Sequence, residues 1–162
     1  MNNMNPKKVF EVANYFIYKS ESESRIDLTN KKLNKLLYYS KAWFYTLNGT
    51  EIFENNVKAW VHGPVIVEVY QEYKKYGFGK ITQVISENDF SKLTKDERSF
   101  LDEVWSIYGK RDADYLELLT HSEDPWQNAR QGLSSFDNSD NNITLESMKT
   151  YYSSMLAKSK NK

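Results

Sequence analysis

Only two histidines, His62 and His121, occur in the 162 residues, so any histidine chemistry must use one or both of them. Neither belongs to an H-E-x-x-H motif, and neither stands at a spacing from a carboxylate that is diagnostic of a metal site. With Glu68, Glu123 or Asp124 they could still assemble a hydrolytic or metal-assisted site in space. His62 lies in a tight turn and His121 at a helix end, positions that favour structural hydrogen bonding over catalysis.

Other catalytic signatures are missing from the sequence. It contains no G-x-S-x-G nucleophile elbow. The segment 77–80 (GFGK) lacks the third glycine of a dinucleotide fingerprint and the spacing of a Walker loop, which favours a helix stop followed by a turn. The chain has no cysteine, which excludes disulfides, cysteine-ligated zinc and thiol nucleophiles. We therefore expect a protein that is not an enzyme and uses neither a cofactor nor a metal.

The charge balance disfavours nucleic acid and membranes as direct partners. Lys plus Arg number 22 and Asp plus Glu number 22, so the net charge is zero. The lysines of segment 31–35 (KKLNK) could touch phosphates, but we predict that they lie opposite the apolar stripe of a helix, in solvent. No stretch approaches the ~18 apolar residues of a spanning helix, and the N-terminus does not resemble a signal peptide. We expect a cytoplasmic location.

The spacing of apolar residues predicts that helices position these side chains. Three prolines and six glycines leave few breakers, and apolar residues recur mainly at intervals of three and four. We predict a mainly α, compact single-domain bundle of about six helices over residues 1–158, followed by a disordered Lys-rich tail at 159–162. At most a short β-hairpin or extended segment is expected near residues 51–62, where apolar and polar residues alternate.

Capping residues indicate where the helices begin and end. Side chains that accept hydrogen bonds, and prolines suited to a first turn, precede most of the apolar stripes. Glycines, which suit left-handed helix ends, follow several of them. The predicted starts are Asn5 with Pro6, Thr29, Pro64, Thr94 (a capping box with Glu97), Asp112, Pro125 and Thr144, and the predicted stops are Gly49, Gly77 and Gly109.

Three blocks of sequence, read together, resemble one known family. They are residues 32–43 (KLNKLLYYSKAW), residues 59–66 (AWVHGPVI) and residues 119–130 (LTHSEDPWQNAR). They are similar to the Panacea-domain proteins, the SocA-like antitoxins also described as phage-associated proteins. The similarity extends over roughly residues 8–155, and the W-V-H-G-P and L-T-H-x-x-x-P-W patterns are specific arrangements rather than consequences of composition.

The resemblance implies a helical domain encoded beside a toxin gene. It implies that the chain neutralises a cognate protein toxin by direct contact, or presents that toxin to a cellular protease, without an enzymatic reaction. Lys35 and Leu36 match the first motif block. The motif positions carried over as expected partner-binding residues are Tyr38, Trp60, His62, Gly63, Pro64, His121, Pro125 and Trp126.

Two structural interpretations of these positions remain open. In one, the His-Gly-Pro turn packs against the Thr-His to Pro-Trp segment, and the edges of Trp60 and Trp126 form a rigid binding patch. In the other, the same residues form a buried junction, and loops such as 20–25 or 134–142 select the partner.

Two other functions also fit the sequence. One is a phage or mobile-element regulator that binds a host protein or a repressor. The other is a hydrolytic or metal-assisted enzyme that uses His62 and His121.

Overall fold

The computed structural model describes residues 7–23 and 26–160. It is mostly helical (62%), as predicted, with one small antiparallel hairpin. No helix within the described ranges is long and apolar enough to cross a membrane. The described elements are α1 (Lys7–Ser22), α2 (Asn30–Asn48), β1 (Lys58–Trp60), β2 (Gly63–Val65), α3 (Val67–Tyr73), α4 (Lys95–Val104), α5 (Ala113–His121), α6 (Asp124–Ala129) and α7 (Leu145–Lys160), with short 3-10 turns at Lys74–Tyr76 and Glu87–Phe90 and a π-helix at Trp105–Gly109.

Most predicted helix boundaries are confirmed by the hydrogen bonds at the helix ends. The Thr29 hydroxyl accepts the backbone N–H of Lys32 at 3.2 Å. Gly49, with φ of 74°, ends α2 in the left-handed region. Thr94 and Glu97 form the capping box of α4. Asp112 and Thr144 cap α5 and α7, and Pro125 lies in the first turn of α6.

At the two chain ends, the described residues cover the predicted bounds only in part. The expected start of the first helix at Asn5 and Pro6 lies outside the described residues. Helix α7 continues to Lys160, so residues 159 and 160 are helical rather than part of the expected tail. Residues 161 and 162 are outside the described range.

The predicted short hairpin is confirmed, and it overlaps the end of the predicted range and extends beyond it. It spans residues 58–65, with Trp60 opposite Gly63 across a two-residue turn, whereas residues 51–57 have irregular backbone. Pro64, predicted to begin a helix, is instead buried within β2 opposite Ala59. Proline has no N–H to donate to a strand ladder, so it is tolerated in an edge strand such as β2. Helix α3 begins only at Val67.

Helix α2 lies at the centre of the fold and packs against α1, α4, α5 and α7. The prediction that the lysines of segment 31–35 lie in solvent is wrong for Lys32 and Lys35, which are only 3% and 1% exposed. Lys41, on the same helix, is also only 3% exposed. Neighbouring elements cover the helix on several sides, so it has no broad polar face. Of the lysines in segment 31–35, Lys31 keeps an appreciable exposed fraction, 32% of its side chain.

The buried ammonium groups bind backbone carbonyl oxygens of other elements. Lys32 donates to Gly109 O at the end of the π-helix, Lys35 donates to Pro64 O in β2, and Lys41 donates to both Phe53 O and Asn55 O before β1. Lys41 also pairs with Glu51 at 3.0 Å. Buried backbone carbonyls need donors, and these lysines of α2 supply them.

Gly109 ends its helix for a different reason from the one predicted. The φ angle of Gly109 is not positive, so this residue does not form a left-handed cap. A Cβ atom at this position would lie 2.5 Å from Cδ2 of the Trp105 ring. Gly109 therefore provides the space in which the indole packs.

We predict that Gly109→Ala destabilises the protein by about 1–3 kcal/mol, because the buried Trp105 ring cannot move away without disturbing its neighbours. The free energy of unfolding in urea measures this effect. Ser106→Ala, at an exposed position of the same π-helix, is the matched control. Equal stability of the two variants would contradict the packing role of Gly109.

Candidate functional site

The second and third motif blocks are in direct contact. The indole Nε1 of Trp126 donates to Trp60 O at 2.8 Å. The guanidinium of Arg130 donates to Ala59 O at 2.9 Å and lies over the Trp126 ring, 4.9 Å from its centroid. Helix α6 is thereby bound to the backbone of β1. We call the region formed by Lys35, the β1–β2 hairpin and helices α5 and α6 the motif junction.

The first motif block joins the motif junction through Lys35. Its Nζ donates to Pro64 O at 3.3 Å. Gly63 has φ of 109°, and a Cβ atom there would lie 2.5 Å from Lys35 Cε and 3.2 Å from Thr120 Oγ1. Both the backbone conformation and the space require glycine. The H-G-P sequence thus fits closely over a lysine of α2 and a threonine of α5.

Lys35 has an unusual electrostatic environment. The pKa of its ammonium group is lowered to about 7, chiefly by burial and also by the charge of Lys31, while Glu117 opposes the shift. Among the described residues, Lys35 forms no ion pair, and its hydrogen-bond acceptor is a carbonyl. The motif junction consequently encloses an amine that is partly neutral near pH 7.

The two histidines have different surroundings. The His121 ring stacks on Trp126 with centroids 4.0 Å apart. Burial lowers the pKa of His121, and its Nε2 is buried without a hydrogen-bond partner in the described ranges. His62 lies in the hairpin turn with 76% of its side chain exposed, and its Nδ1 is 3.4 Å from Glu117 Oε2.

Glu117 and Lys31 connect α5 to α2 beside these histidines. Lys31 Nζ lies 2.5 Å from Glu117 Oε1 and 2.9 Å from Asp114 Oδ1. Burial raises the pKa of Glu117, but hydrogen bonds from Lys31 and His62 outweigh burial and lower it overall. Within residues 7–23 and 26–160, no group of three or more His, Cys, Asp or Glu side chains is placed to hold a metal ion.

Tyr38 lies inside the core. Its hydroxyl is 2.9 Å from that of Tyr152, and Tyr152 and Tyr39 both donate to Glu123 Oε1, at 3.0 and 2.7 Å. Burial raises the pKa of Glu123, while these two hydrogen bonds lower it in part. Glu123, considered from the sequence as a metal ligand, instead links α2 to α7.

Exposure divides the motif positions into two groups. His62 is exposed, and Trp60 and His121 are half-buried. The Trp60 indole donates to Asp140 Oδ1 at 3.3 Å and meets the Tyr70 ring edge to face. The buried group comprises Tyr38, Gly63, Pro64, Pro125 and Trp126.

An exposed apolar surface that the sequence did not predict lies on α5, the helix that contacts His62 through Glu117. Tyr115 is 43% exposed and Leu118 is 70% exposed, although both are large apolar residues of α5. Of the apolar residues at 115–119, only Leu116 is buried. Four apolar residues within 115–119 are too many for one face of a helix, and this excess was the available signal. We call the exposed side chains of His62, Asp114, Tyr115 and Leu118 the α5 face.

Comparison with known proteins places the chain in a family. The model of the antitoxin SocA-like, Panacea domain family matches residues 33–127, more than half of the 162 residues. The chain belongs to this family, which confirms the resemblance found in the three motif blocks. No curated protein and no solved structure is significantly similar to it.

We predict that Trp126→Ala destabilises the fold by about 3–5 kcal/mol, because it removes a large buried side chain and leaves Trp60 O without its donor. His62→Ala, at the exposed end of the same hairpin, should leave the melting temperature nearly unchanged. Thermal melts of the two variants test the difference. A stable Trp126→Ala protein would show that the ring is not part of the core.

We also predict that Lys35 makes stability depend on pH above neutrality. Its folded-state pKa, about 7, is below its ordinary value of 10.5, so the unfolded chain binds more protons between these values. Stability should therefore rise as pH increases from about 7 to about 9, with Lys35 contributing about 2 kcal/mol of that rise.

Urea unfolding of the wild type and Lys35→Met at both pH values measures this contribution. The rise in stability should shrink in Lys35→Met, which has no titrating amine at this position, whatever its absolute stability. Lys92→Met, at an exposed position, should retain the wild-type rise. An unchanged rise in Lys35→Met would mean that the amine is solvated.

Proposed function

We propose that this protein is a cytoplasmic antitoxin that neutralises a cognate protein toxin, encoded by a neighbouring gene, through direct contact at the α5 face. The observation that carries the proposal is membership of the SocA-like Panacea family over residues 33–127. We choose the α5 face because most of the expected partner-binding positions lie in or beside a buried junction.

The α5 face has the properties of a binding surface. Leu118 and Tyr115 lie one turn apart on α5 and expose apolar area that a partner can bury. The Arg111 guanidinium lies over the Tyr115 ring, 4.6 Å from its centroid, and holds the aromatic side chain in place. His62 and Asp114 add polar groups at the edge.

The motif junction makes this surface rigid. Lys31 binds α5 to α2 through Asp114 and Glu117. The Val61–His62 turn is fixed by the hydrogen bonds that Pro64 and Trp60 accept from Lys35 and Trp126. A surface that is already ordered loses little conformational entropy when a partner binds, which favours tight inhibition.

Direct inhibition and presentation to a protease use the same contact and differ in the fate of the toxin. If the antitoxin only blocks the toxin, toxin abundance remains constant while toxicity disappears. If it presents the toxin to a cellular protease, toxin abundance falls when the antitoxin is expressed. Immunoblots of a tagged toxin distinguish the two modes.

We predict that co-expression with the adjacent open reading frame relieves the toxicity of that neighbour, and that Leu118→Glu abolishes the relief. A buried carboxylate at the contact would be desolvated without a partner. Val84→Glu is the matched control, because Val84 is also exposed (86%) but lies far along the chain from α5. Growth and co-purification are the measurements, and equal melting temperatures verify folding.

Two results would contradict this proposal. A harmless neighbour, or toxicity that the wild type does not relieve, would favour the regulator of a phage or mobile element. Full relief by Leu118→Glu would remove the α5 face from the contact while leaving the antitoxin function intact.

A further inference from the structure

A second candidate surface lies between the end of α2 and the start of α4. It is an open groove of about 410 Å³. Phe44 and Phe100 line it and meet edge to face with centroids 5.2 Å apart, and Leu47, which is 55% exposed, also lines it. The groove therefore offers apolar area that the fold itself leaves uncovered.

The charged residues that line this groove are all acidic. They are Asp96, Glu97 and Glu103. Glu97 is occupied, because it binds Lys8 at 2.7 Å and completes the capping box of Thr94. Asp96 and Glu103 are exposed and have no hydrogen bond or ion pair with another side chain in the described part of the chain. Two carboxylates are thus free to meet a cation.

The backbone adds to this negative potential. Asn48, the last residue of α2, also lines the groove. The C-terminus of a helix carries a partial negative charge from its unpaired carbonyls, which favours cations nearby. The N-terminus of α4 also lines the groove, and it is already capped by Thr94 and Glu97. The electrostatics of the groove therefore favour a positively charged occupant.

We infer that this groove binds a basic amphipathic segment of a partner protein, which places a bulky apolar side chain over Phe44, Leu47 and Phe100 and lysines or arginines beside Asp96 and Glu103. Apolar contact supplies affinity, and the paired charges fix orientation and speed association. This inference does not depend on the antitoxin role or on the α5 face.

Titration of the full chain with a defined probe tests the inference. The probe is the synthetic peptide acetyl-KRFLKRLLKR-amide, and acetyl-EEFLEELLEE-amide is its acidic counterpart. We expect the basic peptide to bind and to shift the backbone amide resonances of residues 44–48 and 94–103, whereas the acidic peptide should not bind. Binding should weaken as salt is raised, because the carboxylates are exposed.

Two double variants test the contribution of the acidic residues to peptide binding. Asp96→Lys with Glu103→Lys should weaken peptide binding at least about tenfold. Glu21→Lys with Glu72→Lys makes the same change in net charge at exposed positions outside the groove and should weaken it much less. Leu47→Ser tests the apolar wall without changing charge, and it should also weaken binding.

Several outcomes would overturn the inference. Shifts confined to other residues, equal weakening by the two double variants, or unchanged affinity in Leu47→Ser would each place the peptide elsewhere. Sedimentation without peptide provides a further test. A dimer that dissociates in the Asp96→Lys, Glu103→Lys variant would show that a second copy of this chain fills the groove.

Discussion

The fold depends on ammonium groups that are buried inside it. Helix α2 occupies the centre of the protein, and three of its lysines, Lys32, Lys35 and Lys41, are almost fully buried. Burying an ammonium group is costly unless oxygen atoms bind it, and burying a backbone carbonyl is costly unless a donor reaches it. Each of these three lysines meets both needs at once, by donating to the backbone of the π-helix, the hairpin, or the irregular segment before β1.

This arrangement explains why the motif residues lie together. Lys35 donates a hydrogen bond to Pro64 O in the hairpin, and Gly63 leaves room for the lysine side chain. Trp126 donates a second hydrogen bond to the hairpin, at Trp60 O. These contacts join the three motif blocks in one structural junction, and the α5 face is the surface that we propose for partner binding.

The sequence predicted the fold where local chemistry decides the structure. The caps Thr29, Thr94 and Asp112 accept hydrogen bonds from neighbours three residues away, so no knowledge of distant contacts was needed. Family resemblance identified the residues of the motif junction. Pro64 was misassigned because a strand and a helix start both suit proline, and long-range contacts from Asn34 and Lys35 select the strand.

The burial of the α2 lysines could not be predicted from the sequence. A lysine opposite an apolar stripe is usually solvated, and only the packing of several helices around α2 makes Lys32, Lys35 and Lys41 exceptions. The exposure of Leu118 is the complementary case, since large apolar residues are usually buried. In both cases the residue type indicated one environment and the tertiary structure imposed another.

The direct test of this account is the pKa of Lys35, measured from the chemical shift of its Cε as the pH of the folded protein is changed. Burial within the motif junction predicts a midpoint of about 7. A midpoint at the ordinary lysine value of 10.5 would show that the ammonium group is in water, and it would contradict the junction on which the assignment of the motif residues and of the α5 face depends.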